Sequence, residues 1–492
     1  MSYAARPGMH AVFRASVRSE ADILRNFAVL VALVWSVVFV VLALRYRLQI
    51  YADGAMFSYA VAVRDVWAFH WHNISGRVAV FFLTLWPAEI IVKLTGSPRA
   101  GIAVYGFLFY VAPLLGLAAT FAADRSRGRL IFVFACCSTA VLCPLVFGFP
   151  TEMWLAHALF WPCLALSHYA RRNFIGNALI AITMAALVFC HEGAIILAIT
   201  VTLTLALRGW RDACFIRSLV VLCVVLLVWT IVKMLYPADR YFADVLIRAA
   251  LHFFDPTIFE ANLVLLLLTV LALYGLTYLL LLRIAGNSVA LPGATAIVSA
   301  ALLVYWLWFD HWVHASNRYY LRTLLVVITP VFGMIAAFYA QRADGLISVP
   351  PAIARIAGLM AGASTVRAIL GAFILITLVH AVQTAKFLSD WTAYKSAVRT
   401  LATGNASDPA LGDPRFVSAQ RIAPDLKQLT WFSTVEYLSI LVSDFKPNRL
   451  VIDPRGNYFW LSCTTATANA KATRAVPVAA RELVRIYSCQ HR

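Results

Sequence analysis

Long apolar runs recur along this chain, separated by short polar connections. Each run of about 18 or more apolar residues is long enough to cross a ~30 Å hydrocarbon core as a helix. The pattern predicts eleven spans, over 27–47, 101–123, 130–148, 153–170, 174–190, 193–208, 216–235, 261–283, 293–309, 321–341 and 368–385. A further stretch, 78–94 (VAVFFLTLWPAEIIVKL), carries Pro87, Glu89 and Lys93 and reads as an amphipathic helix lying in the membrane interface. With 62% hydrophobic and 13% charged residues over 492 positions, and a mean hydropathy of +0.80, the composition excludes a soluble globule. The basic start (Arg6, Arg14, Arg18, Arg25) leads into a helix too long for a signal-peptide core, so no cleavable leader is expected.

Charge then sets an orientation. The net charge of +18 is what basic loops facing anionic lipid produce, and nucleic acid is not an expected partner. Eleven spans put Arg125, Arg127, Arg129, Arg171, Arg172, Arg208, Arg211, Arg217, Arg283, Arg342, Arg355 and Arg367 on one side. The positive-inside bias makes that side cytoplasmic, with the N-terminus inside and the C-terminus outside. The expected layout is a cytoplasmic segment 1–26, a membrane domain 27–385 with a first outer loop 49–100, and an extracytoplasmic domain 386–492.

Under this layout the short outer loops collect the acids and histidines: Asp53, Asp65, Glu152, His191, Glu192, Asp239, Asp244, Asp255, Asp310, His311 and His314. Ionisable groups at a membrane surface are costly and tend to face a cavity or each other, so they outline a candidate cleft. The densest stretch is 51–77, YADGAMFSYAVAVRDVWAFHWHNISGR, with two acids, two arginines (Arg64, Arg77) and the aromatics Trp67, Phe69 and Trp71.

The tail from Lys386 is polar and reads as mixed helix and strand: a helix over 433–443, strands over 449–453 and 458–463, and a helix near 478–486. It holds two of the nine cysteines, Cys463 and Cys489, which suggests one disulfide in an outside domain. The Cys136-Cys137 pair has no histidine partner, so metal binding there is not expected. The fold class is an all-α polytopic membrane protein of about eleven transmembrane helices with a small α/β extracytoplasmic domain. No internal repeat, P-loop, GxGxxG or HExxH occurs.

Several stretches, taken in order, resemble the GT-C class of lipid-linked glycosyltransferases. Tyr51-Ala52-Asp53-Gly54 is similar to the class's first-loop acidic motif, whose common form has a second acid where Gly54 stands. Leu85-Trp86-Pro87 through Lys93-Leu94-Thr95-Gly96 resembles its interfacial helix. Phe149-Pro150-Thr151-Glu152 lies where the class often carries a second acid, His191-Glu192-Gly193 resembles its turn between spans, and Arg318-Tyr319-Tyr320-Leu321 resembles an arginine motif opening a late span. The stretch Trp71 to Arg77, ending Ser75-Gly76-Arg77, resembles a bacterial subgroup that includes O-antigen-modifying glucosyltransferase-like proteins.

The resemblance covers about residues 20–345. It implies a bacterial inner-membrane enzyme that takes one sugar from a polyprenyl-phosphate donor to a cell-envelope glycan or lipid acceptor on the periplasmic side. Asp53 would be the general base and Glu152 an acceptor ligand or the ligand of a divalent cation such as Mg²⁺ or Mn²⁺. Arg318 and Arg322, four apart on one helical face, would hold the donor phosphate with His314. Asp65, Arg77, Trp71, His191 and Glu192 would line the substrate cleft, Asp65 serving as a second acid or pairing with Arg64 or Arg77. A secondary transporter, a non-catalytic scaffold presenting the tail to a partner, and a polyprenyl-diphosphate-linked glycan polymerase or ligase remain alternatives.

Overall fold

The computed structural model describes residues 9–66, 75–142, 150–237, 247, 251, 262–310, 318–360, 362–405, 411–431, 434–453 and 482–483. The apolar runs become helices, four of them with an internal proline (Pro113, Pro162, Pro292 and Pro330), and the described part of each expected span falls on one. The first is α1 (Met9–Tyr46), followed by a short α2 (Asp53–Ala62). Next come α3 (Val78–Thr95), α4 (Pro98–Ala123), α5 (Leu130–Leu142), α6 (Glu152–Tyr169), α7 (Phe174–Val188), α8 (Ala194–Ala206) and α9 (Ala213–Leu235). The series continues with α10 (Asn262–Ile284), α11 (Asn287–Trp308), α12 (Arg318–Ala343), α13 (Pro351–Met360) and α14 (Ala363–Thr403). Eight described helices are long and apolar enough to cross a membrane, which makes this a multi-pass helical membrane protein.

These eight are not the eleven expected: Val78–Thr95 is among them, Leu130–Leu142, Phe174–Val188 and Ala194–Ala206 are shorter apolar helices, and Glu152–Tyr169, with Glu152, His157 and His168, is not among the eight. The charges that made 78–94 read as interfacial are locally satisfied. Glu89 accepts the Val66 amide at 3.2 Å and pairs with Lys93 one turn on at 2.6 Å. Pro87, which lacks an amide hydrogen, lies just past a five-residue π-turn at Phe81–Leu85, closed by the Trp86 amide on Phe81 O.

Two expected boundaries fall inside helices. Residue 26 lies within α1. Residue 386 lies within α14, whose 41 residues extend ~61 Å, about twice the hydrocarbon thickness. No glycine or proline interrupts that polar second half before Gly404, so the helix continues as an arm beyond any membrane.

At one end of the bundle the basic loops are knitted together. Asp344 accepts from the Tyr169 hydroxyl at 2.6 Å and from the Arg127 amide at 2.9 Å. Arg208 donates to Gln341 at 2.9 Å and to His168 Nδ1 at 3.0 Å. Within the bundle, His157 joins three helices through Thr139 (3.3 Å) on α5 and Thr329 (3.0 Å) on α12, the interhelical hydrogen bonding that holds helices together where apolar packing gives no preference over lipid.

At the opposite end the arm carries a small unit. Strands β1 (Phe416–Ser418) and β2 (Leu450–Ile452) pair in parallel, Phe416 opposite Leu450, with helix α15 (Val435–Val442) between them in sequence. Strand β1 is an element the sequence pattern did not indicate. Helix α15 packs on α2 and on α14, with the Tyr59 and Tyr437 rings 5.3 Å apart. The expected 458–463 strand and the Cys463–Cys489 disulfide lie outside the described residues, as does most of the expected 478–486 helix.

Glu436, 3% exposed in the first turn of α15, is the one strongly perturbed carboxyl of this unit among the described residues. Burial pushes it up to about 8, with the charge of Asp453 adding to the shift against its own backbone amide. A folded-state value above the unfolded one contributes stability below the ordinary carboxylate range that is lost as pH rises toward 8. The intact protein should therefore lose thermal stability between about pH 5 and 8, and Glu436→Gln should flatten that slope in a denaturation series followed by circular dichroism.

Candidate functional site

The end of the bundle that bears the small unit also gathers the acids. A turn at Leu48–Ile50 leads into α2, and Tyr51 is clamped between Phe387 (5.4 Å) and Trp391 (5.1 Å) of α14. Ala52 then adopts φ 52°, ψ −130°, a conformation that costs a non-glycine residue about 1–3 kcal/mol. Asp53 follows as the first residue of α2, 9% exposed, where the helix dipole favours its charge.

Gly54 is closely enclosed. A Cβ at this position would lie 2.2 Å from Gln49 O and 2.5 Å from Pro150 Cγ, so no second acid fits. The same contact brings the start of α2 against the residues that precede Glu152.

Arg77 is the hub. Its Nη1 donates to Glu152 Oε1 at 3.0 Å, and its Nε and Nη2 donate to Glu192 Oε2 at 3.0 and 2.9 Å. Lys233, in the last turn of α9, places Nζ 3.3 Å from Glu192 Oε1. All four groups are largely buried. Burial alone pushes the Glu192 carboxyl up, but Arg77 foremost, then His191 and Lys233, outweigh that and hold it below the usual carboxylate range. Burial likewise opposes the Arg77 charge, and Glu192 and Glu152 more than offset it. His191 Nδ1 accepts the Gly193 amide at 2.9 Å, which fixes that nitrogen as unprotonated.

The backbone holds these side chains in place. The Ala79 amide donates to Phe189 O at 3.1 Å, tying the start of α3 to the end of α7. In the Ser75-Gly76-Arg77 stretch, a Cβ on Gly76 would sit 2.6 Å from Lys233 Cε and 2.9 Å from Trp229 Nε1. Glycine there lets the turn dock on α9 while Arg77 reaches the two acids.

Tyr105 of α4, 1% exposed, lies within electrostatic range of both Glu152 and Asp53, and its ring is 6.1 Å from that of Phe57 on α2. Asp53, Glu152, Glu192, Arg77, Lys233 and Tyr105 thus share one neighbourhood fed by six separate segments. Neither Lys233 nor Tyr105 stands out in the sequence. Tyr105 reads as one aromatic among many, and the only signal for Lys233 is that it is the single charge within the 216–235 run apart from Arg217.

Asp65 closes α2, its amide donating to Ala60 O at 3.0 Å, and Arg77, expected among its partners, bridges Glu152 and Glu192. Arg318 and Arg322 stand in the first turns of α12, with side chains outside the described residues. His311, His314, Trp67, Phe69, Trp71, Asp239, Asp244 and Asp255 also lie outside them. Asp310 pairs with Lys386 at 3.1 Å. Glu152, expected as a cation or acceptor ligand, has the Arg77 guanidinium where a dication between Glu152 and Glu192 would sit. Among the described residues no three His, Cys, Asp or Glu side chains gather as a metal ion needs. The arrangement of Arg77, Glu152 and Glu192 is a carboxylate–guanidinium bridge.

Comparison with known protein families, with curated proteins and with solved structures finds no match to this chain.

Two outcomes follow from the geometry. Arg77→Met leaves two buried carboxylates facing each other and should destabilise the protein by ~3–5 kcal/mol, read as a lowered unfolding temperature in detergent, with Arg77→Lys recovering part of it. Gly54→Asp, which would restore the common acidic pair, should instead cost ~1–3 kcal/mol or more through overpacking and give no gain in any activity measured alongside wild type.

Proposed function

We propose that this chain is a membrane glycosyltransferase that moves a single sugar from a polyprenyl-phosphate donor to an envelope glycan or lipid acceptor, with Asp53 as general base. The observation that carries the reading is the convergence of three carboxylates and two cations around Tyr105 at one end of a helical membrane bundle. The strained Ala52 immediately before Asp53 adds to it, since backbone strain of this kind collects at functional sites.

The chemistry divides among these groups. The acceptor hydroxyl gives its proton to the Asp53 carboxylate as its oxygen bonds to the anomeric carbon. The bond from that carbon to the phosphate oxygen breaks, and the phosphate leaves with the electron pair. Positive charge facing that phosphate lowers the barrier, a role assigned to Arg318, Arg322 and His314. Arg77 holds Glu152 and Glu192 in fixed positions and Lys233 completes the pairing of Glu192, so these four charges balance and leave the Asp53 carboxylate as the one not committed to the bridge in this reading. In this reading the basic loops at the opposite end of the bundle face the cytoplasm of a bacterial inner membrane, and the Asp53 end faces the periplasm.

The test is transfer of radiolabelled sugar from a panel of polyprenyl-phosphate sugars by the purified protein. Asp53→Asn should lower transfer by roughly 10²–10⁴-fold while donor binding and unfolding temperature stay near wild type. Unchanged transfer would remove Asp53 from the role of base. Binding of the panel without transfer, or a polyprenyl-diphosphate-linked glycan as the sole substrate, would favour the transporter or the polymerase reading.

A further inference from the structure

Away from this cleft, four cationic side chains crowd a seam at the end of α1. Arg45 and Arg47 flank Tyr46, Lys395 comes from α14 and Arg99 from the first turn of α4. Lys395 Nζ donates to Tyr46 O at 2.6 Å, and Trp391 Nε1 donates to the same carbonyl at 3.0 Å. Arg47 Nη2 donates to Leu441 O of α15 at 3.3 Å. Arg99 pairs with Asp444 at 3.1 Å, from a turn in which Asp444 and Phe445 both have left-handed φ (53° and 64°).

Among the described residues the charges of this seam do not balance. Lys395 lies within electrostatic range of both Arg47 and Arg45, and Arg47 within range of Arg99 and Asp444. Asp444 is already paired with Arg99, which leaves Arg45, Arg47 and Lys395 facing one another. The C-terminus of α1 supplies roughly half a negative charge, enough to explain the carbonyl contacts and too little for three cations. Arg45 is exposed on the last turn of an apolar helix, at the depth where lipid headgroups lie. Paired guanidinium forks and an ammonium are the groups that recognise phosphate oxygens.

We propose that Arg45, Arg47 and Lys395 form a binding site for the phosphate of an anionic membrane lipid, seated between the end of α1 and the C-terminal unit. The bound headgroup supplies the missing negative charge and ties the unit to the membrane surface. A lipid is favoured over free phosphate because the cluster starts at the end of a helix long and apolar enough to cross a membrane and Arg45 is exposed there. The site is independent of the transferase reading, and the experiment reads lipid occupancy, not sugar transfer.

Full-length protein is delipidated in detergent, titrated with phosphatidylglycerol or phosphatidylcholine, and its retained lipid counted by native mass spectrometry. Wild type should retain phosphatidylglycerol in preference to phosphatidylcholine. The Arg45→Gln, Lys395→Gln pair should weaken that retention roughly 30-fold for two charges removed. Arg45→Gln alone, at an exposed position, should weaken it about 5-fold and serves if the pair fails to fold, while Arg45→Lys should retain it. Equal retention in wild type and Arg45→Gln, or no preference between the two lipids, overturns the proposal. Displacement by equimolar inorganic phosphate would assign the site to free phosphate and overturn the lipid assignment.

Discussion

The arrangement at the Asp53 end depends on one buried arginine. Arg77 bridges Glu152 and Glu192 with all three guanidinium nitrogens engaged. Removing two carboxylates and a guanidinium from water costs several kcal/mol per ion, and their attraction offsets it only when geometry is good and further polar groups contribute. Lys233 and the Ala79–Phe189 backbone bond supply that support. The bridge thereby fixes three otherwise separate things relative to one another: the start of α3, the first residue of α6 and the turn between α7 and α8. Without it, two like charges would face each other in a site that excludes most water.

That constraint also defines what Asp53 can be. Glu152 and Glu192 are held as anions by Arg77, so their charge is fixed and their geometry committed to structure. Asp53 arrives from a different direction, on a helix whose first turn is pressed against Pro150 and whose preceding residue is strained. Division of labour among carboxylates by environment is how a site keeps one acid for proton transfer while others set the field. Glycine at position 54 follows from the same packing: the α2 turn approaches Gln49 and Pro150 so closely that only a hydrogen is tolerated there.

Much of this architecture was legible in the sequence, for reasons that differ by element. The helices were legible because an apolar run of sufficient length has few other solutions in lipid. The acids at loop positions were legible because charge at a membrane boundary is rare. The run 78–95 satisfies both patterns at once: it is long and apolar enough to cross, and its Glu89 and Lys93 pair with each other while Glu89 also accepts a backbone amide. The extent of α14 was hidden because polar residues ended the apolar pattern at 385 without ending the helix. The bridge itself was illegible: Arg77, Glu152 and Glu192 are up to 115 residues apart, and nothing local says that an arginine near one span meets acids near two others. Lys233 shared that fate, reading as an ordinary charge at the end of an apolar helix.

The long arm of α14 turns these local features into one assembly. Its outer half carries Trp391, stacked near Tyr394 and bonded to Tyr46 O, and it packs Tyr51 from the side opposite α2. The small unit at its end lays α15 back on α2 through Tyr59 and Tyr437, and Arg47 reaches Leu441 across the same seam. Helix α2 therefore packs on α4 through Phe57 and Tyr105, on α3 and on α15, and Tyr51, two residues before it, is held by α14. A ten-residue helix is too short to hold its conformation alone. Its rigidity, and with it the position of Asp53, is supplied by tertiary contacts that begin more than 300 residues away. The C-terminal unit is thus part of what positions the candidate base, whatever further contacts it makes with an acceptor.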